Sequence, residues 1–128
     1  MAEDDVDTTT RRTTQVGLIE GGARILNIVT DAGASAVVLP SSGTLVLGRA
    51  HEADVRVRSR SVSRRHARLR IGDEVMIEDL GSANGTWVRA RTLAPDAPVA
   101  LTPGEVFHLG DVLCMLSGTL SGTRRFWP

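Results

Sequence analysis

Residues 61–71 read Ser-Val-Ser-Arg-Arg-His-Ala-Arg-Leu-Arg-Ile, and residues 72–79 continue Gly-Asp-Glu-Val-Met-Ile-Glu-Asp. Ala67, Leu69 and Ile71 alternate with Arg68 and Arg70. An extended chain with that period has one apolar face and one charged face, the pattern of a half-buried strand. Gly72-Asp73 is a turn signal, and the extended run Glu74 to Asp79 follows it. The two runs therefore read as a β-hairpin. A loop of small polar residues and arginine, Ser61 to His66, leads into it.

The same grammar extends in both directions. Ile25 to Val29 and Ala36 to Leu39 are short, rich in β-branched residues, and separated by Asp31-Ala32-Gly33. Pro40-Ser41-Ser42-Gly43 marks a turn before the apolar run Thr44 to Leu47. Val55 and Val57 alternate with Arg56 and Arg58, which predicts a half-buried strand with its arginines outside. Asn84-Gly85 predicts a tight turn, with Thr86-Trp87-Val88 leaving it. Val106 to Leu109 and Val112 to Leu116 complete the set. Helical periodicity is missing from every window longer than ten residues. Short strands with frequent turns predict an all-β fold, a sandwich or barrel. Trp87, Phe107 and Cys114 are expected in its core.

The chain has 128 residues, enough for one domain with its own core. Residues 1–23 are polar and acidic, and five of the seven residues from Thr8 to Thr14 are threonine, so this segment is expected to be a disordered tail. The domain is expected over 24–117, with 118–128 as an extension or linker. One cysteine excludes a disulfide framework. No apolar stretch approaches the ~20 residues of a membrane span, and the acidic N-terminus does not resemble a signal peptide. A cytoplasmic protein that makes no membrane contact is expected.

Net charge is zero, but residues 49–70 hold eight arginines against Glu52 and Asp54. Such a local excess predicts an anionic partner. All fifteen basic residues are arginine, which excludes a phosphate-loop NTPase motif with its lysine. No nucleophile elbow and no metal-spaced histidine pair occurs among His51, His66 and His108. A binding module is expected rather than an enzyme, with neither metal nor cofactor.

Three polar clusters remain: Gly48-Arg49, Ser63-Arg64, and Ser82-Ala83-Asn84. A phosphothreonine carries about −1.5 to −2 charges and three strong acceptor oxygens. A loop site for it needs guanidinium, hydroxyl and backbone N–H donors, and these clusters contain all three.

Taken together, Gly48-Arg49, Ser63-Arg64-Arg65-His66-Ala67, Asp79-Leu80-Gly81-Ser82-Ala83-Asn84-Gly85-Thr86, Gly104-Glu105 and Leu109-Gly110 resemble, in order and spacing, the forkhead-associated (FHA) domain of bacterial type. The resemblance runs from about Ile25 to Leu116. It implies a sandwich of two antiparallel sheets, with binding loops at one end that recognise phosphothreonine peptides. By resemblance, Arg49, Ser63 and Arg64 contact the phosphate, with Ser82 in the binding set, and Asn84 holds the peptide backbone. Gly48, His66 and Gly85 are implied to be structural. Arg89 stands where family members often carry Asn, Ala83 where some carry Thr, and Glu105 where Asp is common.

The implied partners are a phosphothreonine protein and a Ser/Thr kinase, with the domain a monomer. Resembling proteins often place the domain ahead of an effector, so a regulatory domain of a bacterial transcription regulator is one expected setting. The alternative is nucleic-acid binding through the arginine stretch 49–70. Scarce aromatics and zero net charge weigh against that alternative. Thr8-Thr9-Thr10, next to Asp7, and Thr13-Thr14-Gln15-Val16 read as kinase targets, with Thr13 and Thr14 the candidate phosphoacceptors. Eleven residue steps lead from Thr14 to Ile25, up to ~36 Å extended, which suffices for the tail to reach loops of a small domain. The competing account is an inert tail.

Overall fold

The computed structural model describes residues 23–118, which contain eleven strands and no helix. Strands β1 (Ile25–Thr30), β2 (Gly33–Val38), β7 (Thr86–Val88), β8 (Arg91–Thr92), β10 (Val106–Leu109) and β11 (Val112–Ser117) form one sheet, in the order β2-β1-β11-β10-β7-β8. Strands β3 (Gly43–Gly48), β4 (Val55–Arg56), β5 (Ala67–Ile71), β6 (Val75–Asp79) and β9 (Val99–Leu101) form the other, in the order β4-β3-β5-β6-β9.

Alternation determines which side of each strand is buried. In β5, Ala67, Leu69 and Ile71 point inward, and in β11, Val112, Cys114 and Leu116 do the same. Phe107 and Leu109 of β10, the neighbour of β11 in the six-stranded sheet, join the same core. Each such side chain contributes about 1.5–3 kcal/mol by leaving water. The hairpin read from residues 67–79 is present, with Ala67 opposite Asp79 and Ile71 opposite Val75. Phe107 and Cys114 lie in the core as expected.

Three expectations change. Trp87 is exposed rather than buried, because its neighbours Thr86 and Val88 take the two inward positions of β7. The sheets are not wholly antiparallel, since β3 and β4 pair in parallel through Leu47 and Val55. The strand expected at 55–58 is only two residues long, although Val57 is buried and its N–H donates to the Gly48 carbonyl at 2.7 Å.

Strands β8 and β9 carry no clear sequence signal. Arg89 and Ala90 join β7 to β8 with φ of 51° and 63°. A two-residue hairpin loop with both φ positive matches the right-handed twist of its strands, even though neither residue is glycine or asparagine.

Candidate functional site

The loops preceding β5 and following β6 meet at one end of the sandwich, where His66 joins them. Its ring is fully buried. The Ser63 N–H donates to Nδ1 at 3.0 Å, so the ring proton sits on Nε2 and is donated to the Gly85 carbonyl at 2.8 Å. Burial holds the imidazole below its usual pKa, against the opposing pull of the Gly85 carbonyl and the Asp79 charge. His66 thus meets the backbone of Ser63 and not its hydroxyl, and the two do not form a nucleophile–base pair. The Gly85 carbonyl also accepts the Gly110 N–H at 2.9 Å.

Gly48 and Arg49 form the second wall. The Arg49 N–H donates to the Ser63 carbonyl at 2.9 Å, and the Ala50 N–H to that of Arg64 at 3.1 Å. The two loops run so close that a Cβ on Gly48 would overlap the Arg64 carbonyl. Arg49 Nε donates to the Val62 carbonyl at 2.9 Å. This bond aims the exposed side chain across the loop and commits only one of its five donors.

Ser63 Oγ accepts the Ala83 N–H at 2.9 Å, which leaves its own proton for donation elsewhere. Arg64 is exposed and faces Glu52 at 3.7 Å, a loose pair worth little in water. Asn84 Nδ2 donates to the Ser61 carbonyl at 2.9 Å, holding the amide across the gap between loops. Ser61 Oγ in turn accepts the Asp111 N–H at 3.0 Å.

Ser82 has a different place from the one expected. Its hydroxyl donates to Asp79 Oδ1 at 2.5 Å and accepts the Gly85 N–H at 3.0 Å, and its own N–H donates to Asp79 Oδ2 at 3.0 Å. With these groups committed inside the loop, Ser82 is a brace and not a free donor.

The residue sequence reasoning missed is Asp79. This buried carboxylate also accepts the Gly81 N–H at 2.8 Å and the Thr86 hydroxyl at 2.7 Å. Burial alone would raise its pKa, but the bonds from Ser82, Thr86 and Gly81 outweigh it and hold the carboxyl low. An acid followed at three and seven residues by Ser82 and Thr86 was the available signal.

Two arginines of the stretch, Arg68 and Arg70, are paired with one buried acid. Arg68 Nη2 donates to Glu78 Oε2 at 2.6 Å, and Arg70 Nη2 lies 2.9 Å from Oε1. The Arg68 hydrogen bond, aided by the charges of Arg68 and Arg70, keeps Glu78 ionised despite burial. Arg56 donates to the Arg49 carbonyl at 3.3 Å. Two departures from the family pattern meet each other, since Arg89 forms an ion pair with Glu105.

A groove of about 740 Å³ opens beside the loops, lined by Asn84, Trp87, Arg89, Val106, His108 and Asp111 among others. Trp87 Nε1 donates to the Asn84 carbonyl at 3.2 Å and so ties the groove to the loop. Among the described residues no helix is long and apolar enough to cross a membrane.

Comparison with known proteins agrees with this layout. The FHA domain family model matches residues 45–110. The oxoglutarate dehydrogenase inhibitor of Corynebacterium efficiens is 32% identical over 102 residues, covering 78% of this chain and 70% of the relative. The FHA domain of the CT664 protein of Chlamydia trachomatis superposes with a TM-score of 0.68 at 32% identity, over 74% of this chain and 96% of that one. An FHA structure from work on phosphothreonine-dependent FHA domain interactions superposes at 0.63 with 30% identity, over 74% of this chain and 95% of that one. Matched over more than half its length, and carrying its glycine, arginine, serine, histidine and asparagine positions on three adjoining loops, the chain belongs to the FHA domain family.

Proposed function

We propose that this domain binds phosphothreonine segments of partner proteins in Ser/Thr kinase signalling, as a cytoplasmic monomer. One observation carries the proposal. The donors of Arg49 and Ser63 that remain uncommitted belong to side chains already fixed by other bonds, Arg49 through the Val62 carbonyl and Ser63 through the Ala83 N–H. A dianionic phosphate needs such charge-assisted donors, held in place before it arrives. Arg64, exposed and only loosely paired with Glu52, adds a second cation. Asn84, held across the gap by its bond to the Ser61 carbonyl, is the residue assigned to the peptide backbone.

The Corynebacterium relative is named as an inhibitor of an enzyme, which favours control by docking to a partner protein over a transcription-regulator setting. The pairing of Arg68 and Arg70 with Glu78 weighs against nucleic acid as the ligand.

Titration with phosphorylated and unphosphorylated threonine peptides tests the proposal. Arg49→Ala and Ser63→Ala are each expected to cost about 1.5–3 kcal/mol of phosphopeptide binding. Equal affinity for the two peptide forms would sink it.

Thr13 and Thr14 lie outside the described residues. A self-inhibitory role for them, set against an inert tail, is permitted by one feature of the domain. Strand β1 starts at the end of the sheet away from the loops, a strand length of ~20 Å, within the ~36 Å reach of the tail. Peptide affinity that is unchanged by kinase treatment of the full chain would exclude this role.

A further inference from the structure

The outer faces of the two sheets differ in kind. On the five-stranded sheet, Val46, Arg68 and Glu78 stand in one cross-strand row, and Thr44, Arg70 and Met76 in the next. Paired charges cover that face. On the six-stranded sheet, Trp87, His108, Leu113, Val29 and Ala34 form a single row across five strands. Val106 and Met115 pair in the adjoining row. Asn27 continues the second row beside Met115, and the charged neighbours Arg89 and Asp111 lie at the groove edge. Val29, Trp87, Val106, Leu113 and Met115 are each 37–45% exposed. Exposed apolar side chains spread over ~19 Å, four strand spacings, and interrupted only by His108 and Asn27, point to an interaction site.

The groove beside the loops connects this face to the apical site. Asn84 and Asp111 line its upper end, and Trp87, Val106 and His108 are at once its floor and the near edge of the apolar face. A chain held at Asn84 therefore enters the groove and is delivered onto the face without a second diffusional encounter. That continuity selects the occupant.

We propose that an apolar segment flanking the phosphothreonine of the bound protein docks across the outer face of the six-stranded sheet, making a second, phosphate-independent contact. The proposal rests on the phosphothreonine reading of the apical loops. Outward side chains of the face recur every second residue along each strand, so the segment it fits is extended and apolar rather than acidic. A phosphopeptide too short to pass the groove misses most of this surface.

The test uses the full chain and two probes. One is a short phosphothreonine peptide. The other is a phosphothreonine peptide library with a randomised extension of about ten residues on either side, ~33 Å when extended. The expected outcome is enrichment of Val, Leu, Ile and Phe in the selected extensions. Selected peptides should bind about tenfold tighter than the short peptide. Leu113→Glu and Val29→Glu, both at exposed positions outside the groove, should abolish that gain and leave short-peptide affinity unchanged.

A short peptide that binds while the extensions show no apolar enrichment overturns this inference alone. A short peptide that fails to bind overturns the phosphothreonine reading itself. Concentration-dependent dimerisation in sedimentation velocity, lost in Leu113→Glu, would assign the face to a second copy and overturn the inference as well.

Discussion

The Nε2–H of His66 donates to the carbonyl oxygen of Gly85 at 2.8 Å, so one imidazole joins the loop carrying Ser63 to the loop carrying Asn84. Because Nδ1 accepts the Ser63 N–H, a second proton on the ring would break that bond in a buried place. The folded pKa is lowered, chiefly by burial, so the unfolded chain takes up the proton first. The contribution of His66 is therefore complete above the ordinary imidazole value of about 6.5 and declines as pH falls below it. Urea midpoints at neutral pH and in mild acid should show the loss, and His66→Gln should flatten that slope. Identical midpoints for the native chain would refute the assignment.

Asp79 acts one step behind the binding loops. Four hydrogen bonds converge on its carboxylate, from the backbone N–H groups of Gly81 and Ser82 and the hydroxyls of Ser82 and Thr86. Asp79→Ala should cost about 3 kcal/mol of stability, since it leaves several buried donors unpaired. It should also weaken phosphopeptide binding, because the Asn84 loop loses its anchor. The carboxyl is held below its unfolded value of about 3.9, so this stabilisation is present above that pH and is lost as pH falls further. Thermal melts across the acid range, with the variant alongside, separate this deeper loss from that of His66.

Gly48→Ala isolates the close approach of two loops. The added methyl meets the Arg64 backbone, which cannot swing aside as a flexible side chain does. Overpacking of this kind costs about 1–3 kcal/mol. Its effect on the site should exceed its effect on the core, because the displaced strand carries Arg49. Calorimetric titration with a phosphothreonine peptide and a denaturant curve, on one preparation, should show both losses. Full binding in the variant would mean that the two loops can separate without consequence.

The Arg89-Ala90 turn is open to improvement. Alanine at φ 63° is strained, and a glycine at that position would not be. Ala90→Gly should therefore stabilise the domain by about 1 kcal/mol. A higher urea midpoint is the expected result, and an unchanged or lower one would show that the turn carries no strain.

Cys114 provides an independent probe of opening. Its thiol is buried and its pKa is pushed up to about 12. A thiol reagent should label the folded chain far more slowly than the unfolded one, with labelling rising through the unfolding transition. Rapid labelling in native buffer would place β11 outside the stable core.

Much of this fold could be read from residue type alone. The alternation of Ala67, Leu69 and Ile71 with arginine left one face free for burial, and the chain buried it. The same rule applied to Thr86-Trp87-Val88 would have placed Trp87 outside, but its size outweighed its position in the expectation of a core residue. Arg49, Ser63, Arg64 and Asn84 were nameable because one family pattern links them. Asp79 was not, because a carboxylate that organises a loop has no anionic or cationic partner to announce it. Its partners are backbone N–H groups and hydroxyls, which sequence shows only as Gly, Ser and Thr. Strands β8 and β9 are two and three residues long, too short for any periodicity, and depend on the neighbours they pair with.

Ile25 at the start of β1 sits opposite Ser117 at the end of β11. The loops gather at the other end of those strands, where Asp111, just ahead of β11, bonds to Ser61. The two ends of these strands are therefore adjacent and lie away from the loops. A short dye or tether fixed at either end therefore sits about a strand length, ~20 Å, from those loops, whereas a longer attached segment can reach back to them.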